Sequence, residues 1–356
     1  MKMKKILMRI GIALLSLVLI LTIAFVVMFR NELRTLNSIT VTDNVVQMTY
    51  FGDYGFDDFM LVGAESDNDI LEFVLNRLLR GLPINLDIDI TGGGCTVFVA
   101  RNSDGDVIFG RNFDFPTNSP PMLLHTQPDN GFASISTANL LFSGFSDDHL
   151  PSGLNFASVP ALVAPYIPFD GVNEHGVAIA LLAVPEAEPA FYEDRIMINA
   201  LIAIRLVLDR AASVDEAVHL LRQYNIYFSH DIYCQFLIAD STGRSVIVNY
   251  FDGDLKITET NENFQIATNF IPYNGLNIGE GFCEFERYDR VRYVLETNNG
   301  VLTELQAVEL LAEVGVINDE GGNGLRWSVV YNLTTLEGVI FANRDADNLV
   351  RFRMGR

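Results

Sequence analysis

Apolar residues along this chain fall into three kinds of run, distinguished by length and period. The first is Ile10 to Phe29, twenty residues without a charge. As a helix rising ~1.5 Å per residue it would span a ~30 Å hydrocarbon layer. Lys2, Lys4, Lys5 and Arg9 precede it, and no small-residue cleavage pattern follows in VVMFRNEL. The run therefore reads as an uncleaved, single-pass anchor, with the N-terminus cytoplasmic and the remainder extracytoplasmic. The second kind repeats every three or four residues. SDNDILEFVLNRLLRGLP carries Ile70, Val74 and Leu78 on one stripe, Ser66 as N-cap, and a stop at Gly81 and Pro83. Arg195 to Ala212, Ser213-x-x-Glu216 into VDEAVHLLRQY, and Thr303-x-x-Gln306 into AVELLAEVG predict three further helices, the last two opened by capping boxes.

The third kind is short and bounded by turn residues, as strands are. ITVTDNVVQMTYF predicts one strand or two, and TVFVAR pairs with DVIFGRNFDF across the turn Asn102-Ser103-Asp104-Gly105. FDGVNEHGVAIALLAVP couples a turn to a buried strand. CQFLIAD and RSVIVNYF form another hairpin, which LKITET and FQIATNF extend in the same sheet, and WSVVYNLT with GVIFANR forms the last. Between Phe115 and Phe169 lies a stretch rich in Pro, Gly, Ser and Asn, broken by FASIS, ANLLF and VPALVAPYIPF, which reads as site-forming loops or partial structure. This succession predicts sheets with helices segregated to their outer faces, an α+β arrangement.

The hairpin after Gly92, Gly93 and Gly94 carries the candidate chemistry. Cys95 opens its first strand, and the returning strand brings back Arg111 and Asp114. A thiol with a pKa of ~8.5 is mostly un-ionised at neutral pH, and a neighbouring guanidinium raises the thiolate fraction. No histidine lies near to act as base. Cutting the Gly94–Cys95 bond would supply one, since Cys95 would then carry its own α-amine with a pKa near ~8, which Asp114 could orient. The glycines fit such a cut by permitting unusual backbone angles.

Composition narrows the reading. The 356 residues are 49% hydrophobic and 19% charged, enough for a sizeable core, and the net charge of −21 argues against a nucleic-acid partner. Cys234 and Cys283 could pair outside the cytoplasm or stay free. No HExxH or C-x-x-C pattern is present, and no metal or other cofactor is expected.

GCTVFVARNSDGDVIFGRNFDF resembles the nucleophile hairpin of the choloylglycine hydrolase, acid ceramidase and N-acylethanolamine acid amidase group of N-terminal-nucleophile (Ntn) hydrolases, with Cys95, Arg111 and Asp114 at the family's spacing. The resemblance implies a four-layer αββα sandwich and a cysteine amidohydrolase of linear, non-peptide amides, self-cleaved between Gly94 and Cys95. Its substrate would be a small N-acyl amine with a fatty-acyl or bile-salt-like acyl part. By the same resemblance Asn269 in ATNF holds the oxyanion, and Arg287 in ERYDR is the second arginine, with Arg290 as the fallback. The phrase NEHGV, like the family's NExGL, offers Asn173 as a substrate contact. The stretch LAVPEA lacks the oxyanion asparagine of the bile-salt enzymes, which weakens a bile-salt assignment and leaves the second donor to a backbone N–H. The implied organisation is an anchor over 1–30, touching the bilayer through 10–29, then a pro-segment or small subunit over 31–94 and a catalytic domain over 95–356. An acyltransferase, a catalytically silent hydrophobic-ligand binder of the same fold, and an oligomeric state all remain open at this level.

Overall fold

The hairpin forms the centre of a six-stranded sheet in the computed structural model, which describes residues 2–78, 94–115, 120–273, 276–278, 284–317 and 324–355. Strand Gly94–Arg101 runs antiparallel to Val107–Phe115, with Gly94 opposite Asp114 and Cys95 opposite Phe113. The turn uses Gly105 at φ +86°, and Asn102 Oδ1 accepts the N–H groups of Asp104 and Asp106 at 2.9 Å. Gly110 of the GRN phrase lies against the Phe98 ring, leaving no room for a Cβ. The full sheet order is Gln265–Ala267, Gly94–Arg101, Val107–Phe115, Gly324–Asn332, Glu337–Ala342 and Val350–Arg353.

A nine-stranded sheet packs on it, meeting strand Gly94–Arg101 through strand Ala178–Ala183. Helices Ala200–Arg210 and Val214–Leu221 lie against the nine-stranded sheet, and helices Glu284–Thr297 and Glu304–Val314 against the six-stranded one. Because side chains alternate along a strand, the hairpin feeds two cores. Cys95, Val97, Phe109 and Phe113 belong to the core shared with the nine-stranded sheet, while Phe98, Ala100 and Ile108 pack with Val291, Leu295 and Leu311 of the helices.

Residues ahead of Cys95 are part of this architecture. The apolar run forms one exposed helix, Lys2–Met28, long and apolar enough to cross a membrane, followed by a short helix, Arg30–Asn37. ITVTDNVVQMTYF makes two strands, Thr40–Thr42 and Val45–Tyr50, turning at Asp43 and Asn44 with φ of 47° and 63°. Val45–Tyr50 then lies parallel to Pro121–Thr126 in the nine-stranded sheet. Helix Asp67–Leu78 starts as expected, with Asp69 N–H donating to Ser66 Oγ at 3.3 Å; the expected stop at Gly81 and Pro83 lies outside the described residues. Tyr54 is buried and donates its hydroxyl to Asp209 at 2.6 Å.

Two sequence expectations change. FQIATNF does not extend the sheet of LKITET: Gln265–Ala267 crosses to the six-stranded sheet and pairs with Val97, Phe98 and Val99. Arg195 to Ala212 is not all helix, since Met197–Asn199 is a strand paired with Asn225–Tyr227 and Asn199 caps the helix that follows. Its Arg205 and Asp209 form a fully buried pair at 3.1 Å. ERYDR sits in a helix, Glu284–Thr297, that the polar sequence conceals. The stretch from Phe115 to Phe169 supplies strands Pro121–Thr126 and Ser134–Asn139 and two 3₁₀ segments, Leu140–Ser143 and Phe156–Tyr166.

Candidate active site

Strand alternation explains how one hairpin surrounds residue 95 with different groups. Arg111 and Phe113 point to the same side as the Cys95 thiol, toward the nine-stranded sheet. Thr96, Asn112 and Asp114 point to the other, where Asn112 reaches Leu311 O of helix Glu304–Val314 at 2.7 Å. The thiol and Asp114 therefore lie on opposite sides of the strand, with the main-chain nitrogen of Cys95 between them.

That nitrogen is the focus of the cluster. Its N–H donates to Asn269 Oδ1 at 2.7 Å, because the crossing of Gln265–Ala267 carries Asn269 alongside the start of the hairpin. Asn269 Nδ2 donates to Ala183 O at 2.8 Å. Arg287 ties the same groups together: Nη1 donates to Cys95 O at 2.6 Å and to Thr96 Oγ1 at 3.0 Å, and Nη2 to Asn269 Oδ1 at 2.7 Å. Nη1 also lies 3.7 Å from Asp114 Oδ2. Arg290 is exposed and pairs with Glu313, so of the two arginines in ERYDR only Arg287 enters the cluster.

Asp114 Oδ1 accepts the Val316 N–H at 2.8 Å, and Oδ2 has no hydrogen-bond donor among the described residues. Burial lifts its pKa from 3.8 to about 6, opposed by Arg287, by the Val316 N–H and by more distant arginines. Such a carboxyl holds its proton more tightly folded than unfolded. Stability is therefore unaffected below the unfolded pKa, falls as pH rises toward about 6, and is lower by roughly 3 kcal/mol at pH 7. Asp114→Asn keeps the shape and never ionises. Its thermal melt should exceed that of the parent at pH 7.5 by the equivalent of about 1–3 kcal/mol, with the gain roughly halved near pH 5 and vanishing below about pH 3.5. Equal shifts across this range would reject the buried-carboxylate account.

Arg111 is fully buried and interacts with the Cys95 side chain. Burial opposes its charge, but Cys95 and Asp170 beside it more than offset burial and raise its pKa. Asp170, from the nine-stranded sheet, pairs with Arg111 Nε at 2.7 Å and accepts from Thr137 Oγ1 and Tyr331 OH, both at 2.6 Å. Sequence reading missed it. The available signal was a carboxylate inside the apolar run VPALVAPYIPFDGV, where a charge must find a partner.

Two expected positions differ. Asn173 Nδ2 donates to the carbonyls of Leu208 at 3.1 Å and Ala211 at 2.7 Å, and its Oδ1 accepts from His175 and Val177 at 3.1 Å. Its whole amide is occupied in joining a turn to a helix end, leaving nothing for a substrate. Gly94 has no left-handed backbone; it is extended strand, and its need for glycine is spatial. A Cβ there would lie 3.3 Å from Asp114 Cβ and from a Val316 methyl. Cys234 is a buried free thiol whose pKa is raised by burial and by Cys95, whereas Cys283 and Gly92 and Gly93 lie outside the described residues. Among the described residues no group of acidic, histidine or cysteine side chains is placed to hold a metal.

Two sheets packed face to face, with a cysteine at the head of a central strand, define an Ntn-hydrolase-like fold. A mutant of the conjugated bile acid hydrolase of Clostridium perfringens superposes with TM-score 0.54 at 15% identity, covering 73% of this chain and 92% of that one. A second variant of that hydrolase gives 0.53 at 16% over the same shares. The penicillin V acylase of Agrobacterium tumefaciens gives 0.49 at 17%, covering 70% and 83%. No curated protein matches the chain in sequence. Residues 95–282, just over half of the chain, match the profile of the linear amide C–N hydrolases of the choloylglycine hydrolase family. The protein belongs to that family, and is a hydrolase of carbon–nitrogen bonds in non-peptide amides.

Proposed function

We propose that this hydrolase cuts its own Gly94–Cys95 bond and then uses Cys95 as an N-terminal nucleophile on the amide of a small N-acyl amine. One observation carries the proposal: the polar groups of the cluster converge on the main-chain nitrogen of residue 95, through Asn269 Oδ1 at 2.7 Å and the neighbouring Asp114, as well as on its thiol. A cysteine used through its side chain alone has no need of such a setting. In the self-cut the thiol adds to the Gly94 carbonyl, the C–N bond breaks as the nitrogen takes the thiol proton, and water hydrolyses the thioester. The products are a Gly94 carboxylate and a Cys95 with free thiol and α-amine.

In turnover the α-amine takes the thiol proton, and sulfur attacks the substrate carbonyl. Arg111 faces the sulfur and stabilises charge there, while ionised Asp114 orients the ammonium. Asn269 supports the oxyanion through its second Nδ2 hydrogen, together with a backbone N–H. The ammonium protonates the leaving amine, and water then releases the acyl group as a carboxylic acid, with the α-amine as base. An apolar acyl part suits the rings beyond Phe113, which stacks on Trp327 at 4.1 Å and meets Phe169 at 4.9 Å. Phe142, 5.4 Å from Phe169, lines an apolar cleft together with Ile70 and Val74 of the segment ahead of Cys95. The exposed apolar helix Lys2–Met28 and the basic residues before Ile10 support an anchored enzyme with its catalytic part extracytoplasmic.

Intact-mass measurement of the purified ectodomain tests the cut directly: fragments meeting at Gly94 and Cys95 are expected. Gly94→Val should remain a single chain, because its side chain must displace Asp114 and Val316. Normal processing of that variant would show that the cut does not depend on this packing.

A further inference from the structure

Asn269 lies just past the end of strand Gln265–Ala267, between the buried residues Thr268 and Phe270. The strand ladder stops at Ala267, so the carbonyls on either side of Asn269 need partners from elsewhere. Both find the same one. Gln235 Nε2 donates to Thr268 O at 2.8 Å and to Phe270 O at 2.9 Å. Gln235 belongs to strand Cys234–Ala239 of the opposite sheet and is completely buried.

A planar amide that bridges these two carbonyls restrains the peptide groups flanking residue 269, and with them the direction of its Cα–Cβ bond. Gln235 Oε1 has no hydrogen-bond partner among the described residues. A methionine would occupy similar space without leaving that acceptor unpaired, so the contribution of the amide is the pair of bonds it donates. Asn269 in turn holds the Cys95 N–H and Arg287, so a shift of its side chain disturbs the amine side and the oxyanion side of the site together.

We infer that Gln235 is a positioning residue, working through Asn269 to aim the oxyanion donor; this rests on the role given to Asn269 above. On processed full-chain enzyme, Gln235→Met is expected to lower kcat by about 10- to 100-fold with KM changed by less than about twofold. Asn269→Ala is expected to lower kcat by about 10²- to 10³-fold. The double variant should be no slower than Asn269→Ala alone, a non-additivity that general loosening of the core would not produce. A substrate-derived acyl aldehyde adds the Cys95 sulfur to its carbonyl carbon while its oxygen takes the thiol proton. Its affinity should fall with Gln235→Met by the same factor as kcat. Gln235→Asn, whose amide cannot span both carbonyls, should show a smaller loss of the same kind and serves if the methionine variant misfolds. Additive effects, or unchanged kcat in a folded Gln235 variant, would overturn the inference and leave Asn269 in place. Unchanged turnover in Asn269→Ala would overturn both.

Discussion

Cys95→Ser is expected to lower amide hydrolysis by on the order of 10⁴-fold or more, with the fold intact. Serine differs from cysteine by one atom, and at this fully packed position the exchange leaves Val97, Phe113 and the paired strand undisturbed. What changes is the nucleophile, since a hydroxyl is essentially never ionised at neutral pH. Hydrolysis should be assayed on a panel of N-acyl amides with fatty, aromatic and steroidal acyl groups, on protein whose processing has been verified by mass. A variant trapped as a precursor is inactive for a different reason. Full activity in processed Cys95→Ser would end the nucleophile assignment.

Arg287 should give the second-largest effect, and with a pH signature. Arg287→Ala removes the donors to Cys95 O, Thr96 Oγ1 and Asn269 Oδ1, leaving acceptors around residue 95 unpaired. We expect kcat/KM to fall by on the order of 10³-fold. Arg287 is also the largest influence holding the Asp114 pKa down against burial. In the processed enzyme the ammonium beside Asp114 draws its pKa below the value of about 6 that burial sets in the uncut chain, so activity should be lost on acidification below pH 6, where the carboxylate that orients the ammonium becomes protonated. Without Arg287 the same loss should begin at a higher pH. Arg287→Lys separates the two roles, because an ammonium keeps the charge but cannot reproduce the fork of the guanidinium. It should restore the acid limb more than it restores the rate. An acid limb that does not move in Arg287→Ala would dissociate Asp114 from Arg287.

What could be read from the sequence was local. The hairpin announced itself because the alternation in TVFVAR and DVIFGRNFDF and the turn between them are properties of neighbouring residues, and Cys95, Arg111 and Asp114 come with it. The helix caps at Ser66 and Thr303 are legible for the same reason. Asn269 and Arg287 were placed by resemblance, and their positions depend on a strand changing sheets and on a helix with little apolar stripe. Neither event leaves a periodic mark. Asp170 showed only as a charge inside an apolar run, and Gln235 not at all, because the partner of each lies across the two sheets, at Arg111 and at residues 268 and 270. Asn173 misled because a residue that stands at a shared phrase can serve the turn itself.

Strand Val45–Tyr50 lies inside the nine-stranded sheet although it precedes the proposed cut, and Tyr54 holds Asp209 from the same side of that cut. A cleaved molecule is then two polypeptides folded as one, and the apolar helix belongs to the shorter. The catalytic chain would be held to that helix through a ladder of main-chain hydrogen bonds rather than a covalent tether. Unfolding would separate the two for good at low concentration, because re-forming the sheet requires an encounter between partners that were joined when they first folded. Synthesis as one chain would thus set a geometry that the finished enzyme can keep but has no efficient way to regain.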